Sequence, residues 1–211
     1  MDALGIQHYG SFLLACLALD ITPGLDTFYI LTRSGREGHA VGLAAALGTN
    51  LGCLVHTAAA VLGISAILMT SALAFSVLKY LGAAYLVWIG LRMLFSHAAA
   101  RQPTVVRGQG LAAALRQGVF TNALNPKVAL FFLAFLPQFV SMNAVHPQLG
   151  LMVLGLSFIG LNMLWTTVPA LLGGRIHRLL RDKPRVGQWM DRVCGAVLLG
   201  FGVKLALQQR S

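Results

Sequence analysis

Asp20-Ile21-Thr22-Pro23-Gly24-Leu25-Asp26 and Asn125-Pro126-Lys127 break two apolar stretches that are each long enough to span a bilayer. Each break sets a good helix N-cap residue before a proline, Thr22 before Pro23 and Asn125 before Pro126, with a charged side chain close by. In hydrocarbon an unpaired backbone polar group is costly, so broken helices persist there only where protein or a wet cavity shelters them. A pair of such interruptions, one in each half of the chain, is the sequence mark of a binding site built from discontinuous helices.

Around these breaks, hydrophobic residues make up 57% of the chain and charged residues 10%, with a mean hydropathy of +0.74. Soluble domains average about 45–50% apolar. The apolar residues fall in six blocks, at 9–31, 41–66, 77–95, 117–140, 149–173 and 189–207. Most reach the ~20 residues that cross ~30 Å of hydrocarbon. The last is the shortest clean run, because Asp191 and Arg192 confine it to 193–203, and Lys204 is placed to snorkel to the interface. The pattern predicts an all-α integral membrane protein with six transmembrane helices.

The net charge of +10 has a topological explanation. With loops assigned to alternate sides, twelve of the sixteen Lys and Arg residues gather on one side, among them Arg33, Arg92, Arg107, Arg116 and Arg181. Lys204 and Arg210 lie on the other side, and Lys79 and Lys127 lie within or at the edge of spans. This positive-inside bias puts both termini outside and the three basic loops in the cytoplasm. Nucleic acid is not indicated. The N-terminus has no basic region before its first apolar run, which speaks against a cleaved signal peptide. Cys16, Cys53 and Cys194 are isolated, without a Cys-x-x-Cys pair, so thiol–disulfide exchange is disfavoured.

A single membrane domain, 1–211, is expected, with the basic loop 97–116 separating a first repeat, 1–96, from a second, 117–211. Three spans on each side of the loop make the halves enter the membrane in opposite senses, which is the layout of a 3+3 inverted-topology repeat with helices 1 and 4 broken. Pro23 stands about eight residues from the inner end of its span and Pro126 about nine from the inner end of its own, so at 1.5 Å per residue both lie about 12–14 Å deep. In the second span Gly48-x-x-x-Gly52 permits close helix packing.

Both breaks read as starts of half-helices, whose exposed amides and positive dipole ends suit a carboxylate. The plain alternative is two proline kinks with no ligand. Asp20 and Lys127 stand at nearly one depth, and intramembrane charges are paired or functional. They form either a structural ion pair or a site in which a solute's amine takes Asp20 or Asp26 and its carboxylate takes Lys127 and the half-helix amides. Asp26 also suits an interfacial pair with Arg33 or Arg36, and a carboxylate in such a site is a candidate proton carrier. His56 reads as a hydrogen-bonded packing residue or a cavity lining; Cys53 and His56 alone make a poor metal site. Asn162, Thr166 and Thr167 either line the cavity or bond across helices.

These residues resemble the LysE/RhtB family of amino-acid exporters, of the lysine and homoserine/threonine efflux type. The resemblance is carried by Thr22-Pro23-Gly24-Leu25-Asp26, the glycine-rich run 35–52, Leu78-Lys79-Tyr80-Leu81-Gly82 and Asn122-Ala123-Leu124-Asn125-Pro126-Lys127. Leu136-Pro137-Gln138-Phe139 carries it too, and it extends over about residues 8–206. It implies a six-helix bacterial inner-membrane protein that expels amino acids by proton antiport. Two departures stand out: Leu25 replaces the second proline of the usual Thr-Pro-Gly-Pro, and Asp20 lies outside the family pattern. Lys127 fits the homoserine/threonine branch and opposes a cationic side chain.

The expected function is therefore export of small neutral amino acids or derivatives. Thr22, Pro23, Gly24, Asp26, Asn125, Pro126 and Lys127 form the substrate site, and Asp20 joins them on the depth argument. Partners are the amino acid, protons and the lipid bilayer, with a homo-oligomer open. No cofactor or metal is implied. A gated channel using the same half-helices, or an inorganic-ion exporter, are the alternatives. An enzyme is disfavoured, because neither His-Glu-x-x-His nor a serine–lysine arrangement is present.

Overall fold

Helices fill the apolar blocks, and both breaks become bends. The computed structural model describes residues 4–22, 24–64, 72–95, 110–141, 144–182 and 184–207. Pro23, most of the basic loop and the side chains of Lys79, Cys194 and Lys204 lie outside what is described. The first bent pair is α1 (Tyr9–Ile21) and α2 (Leu25–Glu37), set at 52°. The long helix α3 (His39–Ala59) runs on through a π-helical turn, Ala60–Ile64, and is followed by α4 (Ala72–Leu94). The second bent pair is α5 (Gly110–Ala123) and α6 (Pro126–Leu130), the latter continued by π-helical Phe131–Phe135 and 3-10 Leu136–Phe139, at 47°. Two long helices close the chain, α7 (Pro147–Asp182) and α8 (Pro184–Leu207). Among the described residues, two helices are long and apolar enough to cross a membrane, or four if each bent pair counts as one span.

The two bends are capped differently. At the second, Asn125 is the N-cap as its sequence predicts: its Oδ1 accepts from the Lys127 backbone N–H at 3.0 Å, with Pro126 at the first helical position. At the first, the expectation that Thr22 starts the half-helix is corrected. Thr22 ends α1, its Oγ1 donating to Ala18 O at 2.7 Å. The N-cap of α2 is Gly24, extended at φ −133° and ψ −172° with no side-chain cap, and Leu25 opens the helix. A threonine hydroxyl that finds the carbonyl four residues back is already occupied.

The core of the molecule is α3 held between α5 and α7, with α2 lying against α3 and α7 and α4 paired with α8. Small residues allow this. A Cβ at Gly48 would run into the Leu115 carbonyl, and one at Gly52 into Val119 O at 2.7 Å, so α3 and α5 meet backbone to backbone. Gly42 likewise leaves room for Ser34, whose hydroxyl donates to Ala170 O of α7 at 2.5 Å. At the α1/α6 end, rings contact one another from Phe158 through Phe131, Phe135 and Phe139 to Phe12 and Tyr9, with centroids 5.0–6.2 Å apart. A short antiparallel bridge between Ile6 and Val140 ties the segment ahead of α1 to the end of α6.

Candidate functional site

The bends meet. Asp26, in the first turn of α2, accepts on Oδ2 from Asn122 Nδ2 at 2.9 Å and from Asn125 Nδ2 at 3.1 Å. Asn125 thus serves both halves: its oxygen caps α6 while its amide nitrogen holds the first turn of α2. This arrangement replaces the alternative in which Asp26 pairs with Arg33 or Arg36, since Arg33 Nη1 binds Glu37 at 2.6 Å, one turn along its own helix.

Lys127, one residue past Pro126, crosses to the other bend. Its Nζ donates to Leu19 O at 2.8 Å and to Thr22 O at 2.9 Å, the last carbonyls of α1. A cation there complements the negative end of the α1 dipole and satisfies acceptors that the helix leaves open. The tip of Lys127 passes so close to Gly24 that a Cβ on this glycine would lie 3.3 Å from Nζ.

Between the bends is a small cavity of about 20 Å³, room for water rather than for a larger solute. One wall is charged and polar, with Asp20, Asp26, Asn122, Asn125 and Lys127; another is apolar, with Leu19, Val128 and Phe158. The third wall, Asn162 and Thr166, comes from α7. That wall is fixed by a cross-helix network. Asn162 Nδ2 donates to Asn50 Oδ1 at 3.0 Å, and Asn50 Nδ2 donates to Thr166 Oγ1 at 3.0 Å and to Ala46 O at 2.8 Å. One turn further, Pro169 leaves the Trp165 carbonyl without its helical hydrogen bond.

Of the site residues expected from sequence, Asp20, Gly24, Asp26, Asn125 and Lys127 share this cavity. Thr22 contributes its carbonyl, not its hydroxyl. Pro126 is exposed and acts by opening α6, and Pro23 is outside the described residues. His56 is a packing residue: its Nε2 donates to Asn122 O at 2.9 Å and its ring lies 5.9 Å from that of Phe132. Thr167 turns away, bonding Met163 O at an exposed position. Sequence reasoning passed over Asn50 and Asn122 as site residues. Their signal was present, since an amide in an apolar run demands a partner in the same way that a charge does.

The family model of LysE type translocators matches residues 17–209 of the chain. The chain belongs to the LysE type translocators. Among its relatives is a leucine efflux protein of Klebsiella pneumoniae subsp. pneumoniae, 27% identical over 206 residues that cover 97% of each chain. An uncharacterized membrane protein of Pseudomonas aeruginosa is 31% identical over 211 residues, 98% of each chain. Another uncharacterized membrane protein, of Vibrio cholerae, is 30% identical over 204 residues, 96% of this chain and 98% of the relative. No solved structure matches the chain. The family is one of membrane translocators rather than enzymes.

Proposed function

We propose that this translocator exports neutral amino acids across the bacterial inner membrane by proton antiport, with leucine the first substrate to test. The observation that carries this reading is the cavity where the two bends meet, holding Asp26 and Lys127 on its polar wall and Leu19, Val128 and Phe158 on its apolar wall. A zwitterion with an aliphatic side chain presents the complementary groups: an ammonium for the carboxylates, a carboxylate for Lys127 and an apolar tail for Phe158. Lys127 opposes a second positive charge on the solute, which disfavours lysine and arginine.

The architecture we propose has six spans in two inverted halves, each a bent pair followed by two long helices. The repeated order of elements supports it, and α4 and α8, at 23 and 24 residues, are about 35 Å long and long enough to serve as the remaining spans. The distribution of basic residues supports termini on the periplasmic side and the 97–116 loop in the cytoplasm.

The test is efflux from cells loaded with leucine-containing dipeptides, comparing the wild type with Lys127→Ala and Asp26→Asn. Wild-type efflux runs uphill and collapses when an uncoupler is added, whereas a gated channel only equilibrates. Normal export by both variants overturns this reading of the site.

A further inference from the structure

Three buried oxygen atoms at this cavity find no hydrogen-bond donor among the described residues: Asp20 Oδ2, Asp26 Oδ1 and Asn122 Oδ1. They come from three elements, α1, α2 and α5, and all three residues line the one cavity. Asp20 is 7% exposed and Asn122 1%. Buried acceptors are ordinarily satisfied, so three at one place call for a donor or a cation supplied from outside the protein. Their chemistry is uniform, with oxygen ligands only and no donor.

Charge narrows the ligand. The ionisable groups around this region are Asp20 and Cys16 of α1, Asp26 of α2, Lys127 of α6 and His56 and Cys53 of α3, while α7 contributes only the neutral Asn162 and Thr166. With both carboxyl groups ionised, one ammonium leaves a single negative charge to be balanced, and Lys127 Nζ is already engaged with Leu19 O and Thr22 O. His56 gives its Nε2 to Asn122 O and is not among the cavity-lining residues. A divalent ion would exceed the charge required, and among the described residues no three His, Cys, Asp or Glu side chains gather to hold one.

We infer that Asp20 Oδ2, Asp26 Oδ1 and Asn122 Oδ1 form a monovalent-cation site beside Lys127 in this cavity. It takes either the primary ammonium of the transported solute or a sodium ion. This rests on the amino-acid transport reading above and deepens it: Asp20, outside the family pattern, becomes a ligand, and Asn122 joins the site with it. Three acceptor oxygens match the three N–H donors of an ammonium, whereas a sodium ion would complete its oxygen shell with water.

The experiment is thermal unfolding of the purified full chain in lipid nanodiscs, with four probes. They are sodium chloride against choline chloride, leucinol (an amine without a carboxylate), 4-methylpentanoate (a carboxylate without an amine) and leucine. Sodium or leucinol is expected to raise the melting temperature of the wild type saturably, and Asp20→Asn and Asn122→Ala to weaken that response at least about tenfold. The response to 4-methylpentanoate is expected to be unchanged in both variants, which also shows that they are folded. A response to leucinol alone identifies the solute's ammonium; a response to sodium alone identifies an inorganic ion. If neither probe shifts the wild type, or if Asp20→Asn responds as the wild type does, the inference falls. The wild-type arm decides this even if a variant does not fold. Leucine counterflow in proteoliposomes separates the two readings. Counterflow without a cation response overturns the cation site alone, and a cation response without counterflow overturns the substrate assignment alone.

Discussion

Lys127 holds the last carbonyls of α1 while facing a cavity that contains two carboxylates, so its replacement removes both a cap and a charge. Lys127→Ala is expected to reduce leucine efflux by about 10–100-fold, the equivalent of losing one to two charge-assisted hydrogen bonds. Lys127→Arg does not restore it, because a planar fork cannot follow the same two carbonyls. Gly24→Ala tests the space beside it. The added methyl meets the flexible end of Lys127 rather than backbone, so folding is spared and the half-saturating leucine concentration rises about tenfold. At this scale the sequence was only partly legible. Asn125 was readable as a cap because asparagine before proline has one good use at a helix start. Thr22 misled because threonine has two uses, and its hydroxyl went to Ala18 O. The first helical position of α2 belongs to Leu25, so the two breaks correspond as Gly24-Leu25 and Asn125-Pro126.

Among elements, α3 is the common wall, and its two sides do different work. Toward α5 it offers Gly48 and Gly52; toward α7 it offers Asn50. Gly48→Ala pushes a methyl into the Leu115 carbonyl, which cannot yield as a side chain does, and is expected to cost about 1–3 kcal/mol of stability in a reversible unfolding assay. Asn50→Leu and Asn162→Leu are each destabilising, and the double variant is expected to show a coupling energy of about 0.6–1.7 kcal/mol, the range of hydrogen bonds between membrane helices. The glycine face was legible from its spacing alone. The amide network was legible on one side only: Asn162 and Thr166 read as cavity lining or as cross-helix bonds, but their partner Asn50 lies 112 and 116 residues away, and only packing of α3 on α7 brings it there.

In the whole molecule, the bent pairs were legible because hydropathy marks a span and proline marks its interruption, and their meeting followed from matched depth. The closure at the α1/α6 end had no such signal, since aromatic residues in an apolar run fit any packed core. Rings from Tyr9 to Phe158 and the Ile6–Val140 bridge fasten that end above the cavity. Admitting a solute larger than water requires this end or the opposite one to open. Ile6→Cys with Val140→Cys is therefore expected to arrest efflux at least about tenfold under oxidation, the closed state being held by a bond that opening must break, with recovery on reduction. A cysteine placed in the 97–116 loop is expected to react with an impermeant maleimide only from the cytoplasmic face. The clasp of Lys127 on Leu19 and Thr22 has one more consequence. Under the proposed reading, a substrate carboxylate that draws this ammonium away frees the two carbonyls at the end of α1. With no such carboxylate bound, Lys127 keeps the two bends tied to each other.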